Sequence, residues 1–143
     1  MLVRLMYASR AADSVDADAL AAILHQSKDH NRRSGVTGVL CFCSNARVFV
    51  QVLEGGRSAV NATYNNIAQD SRHRDVVLLS YEEIGERSFS SWAMGQVNMS
   101  RLNPGLVLKY SENEVLDPYA VSGRASLALF NELVATASIS VQV

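Results

Sequence analysis

The sequence predicts an α+β protein with a ferredoxin-like βαββαββ sheet, two helices on one face and C-terminal helices on the other. Two observations lead there. Short apolar runs and two helical stripes follow one another as strand, helix, strand, strand, helix, strand, with one extra strand after them. The 143 residues, 48% hydrophobic and 19% charged, suit one ordinary globular domain with a sizeable core.

Residues 2–9 read as the first strand, with Leu5, Tyr7 and Ser9 on one face. Ser14 to Asp18 supply a helix start, with a capping candidate and acids in the first turn. Leu20, Leu24, Ser27 and Asn31 then share one stripe, which turns polar toward a stop near Ser34-Gly35. Residues 36–42 and 48–53 form a hairpin around the turn Ser44-Asn45-Ala46-Arg47, and Gly55-Gly56 ends it. A second helix spans 58–70 with Val60, Thr63, Tyr64 and Ile67 inward. Residues 75–83 and 92–99 are the fourth and fifth strands. Asn103-Pro104-Gly105 and Asp117-Pro118 are breaks, and 125–137 is an amphipathic helix with Leu127, Phe130, Leu133 and Val134 inward. The tail 138–143 has no clear pattern.

The net charge of -1 offers no electrostatic footprint for nucleic acid or a membrane surface. No apolar run is long enough to span a bilayer, and the start Leu2-Val3-Arg4-Leu5-Met6-Tyr7 lacks a signal-peptide pattern, so a cytoplasmic location is expected. Cys41 and Cys43 lie two apart on a strand and point the same way, which suits packing rather than a disulfide or a metal site.

Gln51 is the residue that a plain core does not need. It shares a face with Phe49 and Leu53 in a central strand, and a buried amide requires partners for its donors and its acceptor. Tyr7 on the neighbouring strand can be one of them; an inert Tyr–Gln core pair would look the same. Ser27 and Asn31 converge on that region, which suits a ligand with many hydrogen-bonding edges, though each singly also suits a solvated helix end. His30 is either a stacking ring or an exposed neighbour. In Asp70-Ser71-Arg72-His73-Arg74, Arg72 and His73 suit a phosphate or a ligand hydroxyl, or simply a charged helix end. Trp92 and Met94 share a face of the fifth strand, where edge packing also accounts for them.

Five motifs in order resemble the BLUF family, sensors of blue light using flavin, over about residues 1–100. They are Leu5-Met6-Tyr7-Ala8-Ser9; Ser27-Lys28-Asp29-His30-Asn31 with Gly35-Val36-Thr37-Gly38-Val39-Leu40; Phe49-Val50-Gln51-Val52-Leu53-Glu54-Gly55; Gln69-Asp70-Ser71-Arg72-His73; and Phe89-Ser90-Ser91-Trp92-Ala93-Met94. The resemblance implies FAD or FMN held non-covalently between the two helices. Tyr7 is then the photoactive tyrosine and Gln51 the amide whose rotation or tautomerisation gives a reversible red shift. Asn31 would bind the flavin ring edge with Ser27 and His30 near it, and Asp70, Arg72 and His73 the ribityl-phosphate side, with Arg32 a weaker candidate. Trp92 and Met94 would exchange positions or contacts when the amide changes. His30 stands where many members carry Asn, and the 44–47 hairpin is slightly long.

The resemblance divides the chain into a flavin-binding core, 1–100, and a helical cap, 101–143. Too few residues follow the core for a catalytic domain, so the expectation is a non-enzyme that signals to a separate protein, with the cap stripe also suited to a homodimer. A light-independent regulatory module, a dark flavoprotein and an RNA-binding module of similar topology are the rival readings.

Overall fold

The computed structural model describes residues 1–44, 46–97 and 102–136, and the backbone of the pair 139–140. Its elements run β1 (Leu2–Ala11), α1 (Ala17–Ser34), β2 (Thr37–Cys43), β3 (Val48–Gly56), α2 (Arg57–Gln69), β4 (His73–Ile84), β5 (Gly95–Val97), α3 (Pro104–Leu108), α4 (Gly123–Ala135) and β6 (Ile139–Ser140). They form one sheet in the order β4-β1-β3-β2-β5-β6, antiparallel except where β5 runs parallel to β2. The α+β ferredoxin-like architecture is the one predicted.

β1 and β3 occupy the centre because both of their faces are covered. Along β3 every residue from Val48 to Gly55 is buried, which explains its unbroken apolar run. Tyr7, Leu5, Phe49 and Leu53 share one face with Ile23, Leu24 and Val60 of the first two helices. Met6, Val48, Val50 and Val52 share the other face with Val107, Leu129, Phe130 and Leu133. Strand alternation thus divides one sheet between two cores.

α1 is capped by Asp16, inside the expected start Ser14 to Asp18, and the Asp16 carboxylate accepts from Ala19 N–H at 2.8 Å. It stops as expected at Gly35, left-handed at φ 71°. β3 runs on through Gly55-Gly56, and β4 begins at His73, so His73 and Arg74 belong to a strand rather than to a helix end. Asn103-Pro104-Gly105 opens α3: Asn103 caps it and proline takes the first turn, where a missing N–H costs nothing. In α4 the inward residues are Ser126, Leu129, Phe130 and Leu133, while Leu127 and Val134 are half-buried at its flanks. The fifth strand starts at Gly95, so Trp92 and Met94 precede it. Asn45, Asn98, Met99 and Ala137 lie outside the described residues. Cys41 and Cys43 do point the same way into the cap-side core, with sulfurs 3.9 Å apart and no disulfide.

Candidate functional site

Tyr7 and Gln51 face each other directly, as register partners of β1 and β3. Tyr7 is 1% and Gln51 3% exposed, and the Tyr7 hydroxyl donates to Gln51 Oε1. Burial pushes the phenol far above its ordinary range, with Tyr64 and Asp70 adding to the effect, so Tyr7 stays a neutral hydroxyl that can donate or accept. The other end of the amide, Nε2, meets the Met94 sulfur at 3.3 Å.

Gln51 closes one wall of a cavity of about 210 Å³ between α1 and α2, with Tyr7 hydrogen-bonded to it. α1 contributes Ile23, Gln26, Ser27, His30 and Asn31; α2 contributes Thr63, Asn66 and Ile67; Asp70, Arg72 and His73 follow it. Asn31, 1% exposed, donates through Nδ2 to the Ala93 carbonyl at 2.8 Å. His30 Nε2 lies 3.0 Å from Thr63 Oγ1 and so joins the two helices. The His73 ring is bonded to Ser9 Oγ through Nδ1 at 2.7 Å and packs against Phe49 at 4.8 Å between centroids.

The charges at the mouth are paired. Arg72 donates through Nε and Nη2 to the Asp70 carboxylate at 2.6 to 3.0 Å. The guanidinium holds the Asp70 carboxyl below its usual range and is itself raised in return. His73 is lowered from 6.5 by burial, partly countered by Asp70 and reinforced by Arg72.

Ser27, His30, Asn31, Gln51, Asp70, Arg72 and His73 are therefore brought together, with Tyr7 directly behind Gln51. Arg32 is exposed and outside the cavity lining. Trp92 and Met94 do not share a face. Met94 is buried in the core beside Gln51, whereas Trp92 is half-buried against the cap-side core. No ladder dictates alternation before Gly95; Asn31 on the Ala93 carbonyl and Gly38 N–H on the Trp92 carbonyl, at 3.0 Å, set the course of the segment instead.

The sequence reading missed Ile23, Gln26 and Asn66. Ile23 falls one turn before Ser27 and two before Asn31, and Asn66 one turn after Thr63, so helical spacing from the polar residues, rather than from Leu20 and Leu24, would have found two of them.

A ferredoxin-like sheet with a polar cavity between its helices, walled by Gln51 with Tyr7 hydrogen-bonded to it, defines a small-ligand-binding domain. The family model "Sensors of blue-light using FAD" matches residues 2–95. The chain belongs to this BLUF family of flavin-using blue-light sensors. It is 40% identical over 90 residues to the photoactivated adenylate cyclase subunit alpha of Euglena gracilis, a match covering 63% of this chain and 9% of that protein. The chain thus spans about a tenth of that curated relative. Among solved structures it is similar to the BlsA photo-activated state, with TM-score 0.83, 29% identity and coverage of 100% of this chain and 99% of that one. It is also similar to the dark-state structure of BlrB, with TM-score 0.79, 29% identity and coverage of 95% and 96%.

The residues present fit a flavin. Ile23 and Ile67 on facing helices give apolar walls for a flat ring, and Ser27, Asn31 and Gln51 give hydrogen-bonding groups for its edge. Asp70, Arg72 and His73 suit a hydroxylated side chain at the mouth.

Proposed function

We propose that Gln51 is the light switch and Met94 its first follower. The observation that carries this is the amide's two-sided engagement: Oε1 accepts from Tyr7, while Nε2 donates to the Met94 sulfur at 3.3 Å. A thioether is a weak acceptor and cannot donate. Rotating the amide presents an oxygen to Met94, and that contact is lost; tautomerising it leaves a nitrogen there with one proton fewer to donate. Tyr7 serves both orientations, because a neutral hydroxyl donates and accepts. The low local dielectric makes the exchange energetically significant.

Bound FAD or FMN would supply light absorption and, once excited, oxidising power toward a phenol such as that of Tyr7. Asn31, with Ser27 and His30 beside it, holds the ring edge; Asp70, Arg72 and His73 hold the ribityl side; exposed Arg32 is at most a contact for whatever extends from the mouth. Residues 1–100 act as the sensor and 101–143 as the cap that carries its signal. Its output is assigned to a separate signalling protein, and the full-length likeness to the BlsA photo-activated state supports the light-responsive part of this reading. A cytoplasmic site of action belongs to the same proposal; no helix among the described residues is long and apolar enough to cross a membrane. Exposed Val77, Leu78 and Tyr81 on β4 support a homo-oligomer; a monomeric solution mass would overturn that.

The deciding experiment is absorption spectroscopy of Tyr7→Phe before and after blue light. The variant is expected to bind flavin and to lose the reversible red shift shown by the wild-type protein. A normal photocycle in the variant would remove Tyr7 and Gln51 from the switch.

A further inference from the structure

Gln51 has a buried polar companion on its own strand. Glu54 lies three residues further along β3, on the opposite face, with no exposed surface. Its Oε1 accepts from Phe89 N–H at 2.6 Å, and its Oε2 from Ser88 N–H at 3.1 Å and from Arg4 Nε at 2.8 Å. Arg4 reaches on to Glu82 at 2.8 Å and to Ser88 Oγ at 2.7 Å. A buried carboxylate is tolerated only when paired and hydrogen-bonded in this way, and an apolar residue would serve stability as well. The position of Glu54 therefore calls for another explanation.

That explanation lies in residues 85–94, which join β4 to β5 and carry both Trp92 and Met94. Ser88 and Phe89 are clamped by the carboxylate, and the Phe89 ring is buried in the cap-side core. Ser90 and Ser91 are exposed. The far end is held by neutral contacts: Gly38 N–H to the Trp92 carbonyl, Asn31 to the Ala93 carbonyl, and Gln51 to the Met94 sulfur. One end is thus charge-assisted, while the other includes a contact that amide reversal breaks.

We propose that Glu54 is a positioning residue for signal relay, fixing the segment at Ser88–Phe89 so that reversal of Gln51 displaces residues 90–94, with Trp92 and Met94, rather than the whole connection. This inference rests on Gln51 as the switch. Strand β3 then bears both the switch and the fixed point of the segment that responds to it.

Trp92 is the chain's single tryptophan, so its fluorescence reports on this segment. Emission in darkness and after blue light, together with the flavin red shift, would be recorded for the full flavin-loaded chain as wild type, as Glu54→Gln, and as the double variant Arg4→Gln with Glu54→Gln. The double variant leaves neither charge buried alone and stands in where the single one fails to fold. The expected result is retained flavin and red shift with Trp92 emission already displaced in darkness. The light–dark difference should shrink, as an about tenfold shift between the two segment arrangements would produce. Emission identical to wild type in darkness and in light overturns the proposal, as does loss of the red shift with flavin still bound. The dark emission needs no photochemistry, so it tests the anchor even if the wild-type protein shows no red shift, a result that would instead defeat the switch reading.

Discussion

On the face under α1 and α2, Tyr7, Ser9, Asn31, Gln51, Thr63 and His73 are buried among aliphatic neighbours. On the face under α3 and α4, Met6, Val39, Val50, Val52, Leu129, Phe130 and Leu133 pack with few polar interruptions, chiefly Glu54 and Ser126. Both faces belong to the same strands, and along β3 the side alternates at every residue. Each polar group on the first face is satisfied by a partner of its own, and several of them line the cavity. Such groups gain little net stability from their hydrogen bonds, whereas apolar burial on the second face gains a great deal. Ligand-facing polar groups are thus concentrated on one side of the sheet and cohesion on the other.

Phe130→Ala should break the cohesive side hardest, costing about 3–5 kcal/mol in chemical denaturation through the cavity it leaves. The folded fraction should still show the red shift; its loss there would mean that the two faces are not separable. Gly123→Ala comes next. A Cβ at this position would sit 2.0 Å from the Leu79 carbonyl oxygen, so the α4 backbone must move, at about 1–3 kcal/mol. Retained wild-type melting would show that the cap yields without cost. On the other side, Gln51→Leu should lower stability by only about 1 kcal/mol, since the unpaired Tyr7 hydroxyl is offset by extra apolar burial. It should nonetheless abolish the red shift, and a persisting shift would count against the bridge.

The smallest effect is one of pH. His73 is held below 6.5 by burial, so the folded state binds fewer protons than the unfolded chain as pH falls through that value. Its contribution is to lower stability progressively from about pH 7 toward pH 5. The melting temperature of His73→Gln should fall less over that range, and equal slopes would show that His73 does not titrate on unfolding.

Much of the site was legible because it follows local periodicity. Alternation alone placed Tyr7 and Gln51 on one face of adjacent central strands, and helical spacing aimed Ser27 and Asn31 at the same place. The segment before β5 was not legible in that way. β5 pairs with β2 only at Val39–Gly95 and Leu40–Gln96, too short a ladder to impose a pattern on Trp92 and Met94. Their sides are decided by contacts that Asn31, Gly38 and Glu54 make with the segment across 35 to 62 positions of chain, invisible to any windowed reading. Arg32 shows the opposite limit: a motif neighbour, one residue past Asn31, is carried by the helical turn out to solvent.

The seating of the cap has a consequence for association with other chains. β4 is an edge strand, and its register against β1 slips between Leu78 and Ser80, leaving Leu79 as the extra residue of a bulge. Gly123 lies against the Leu79 carbonyl, and the Tyr119 hydroxyl donates to the carbonyl of Asp75, itself left-handed at φ 50°. Two backbone acceptors of this edge strand are thus occupied or screened by the protein's own C-terminal region, and the bulge at Leu79 interrupts the row. An edge long enough to template aggregation is blunted by the contacts that hold the cap in place.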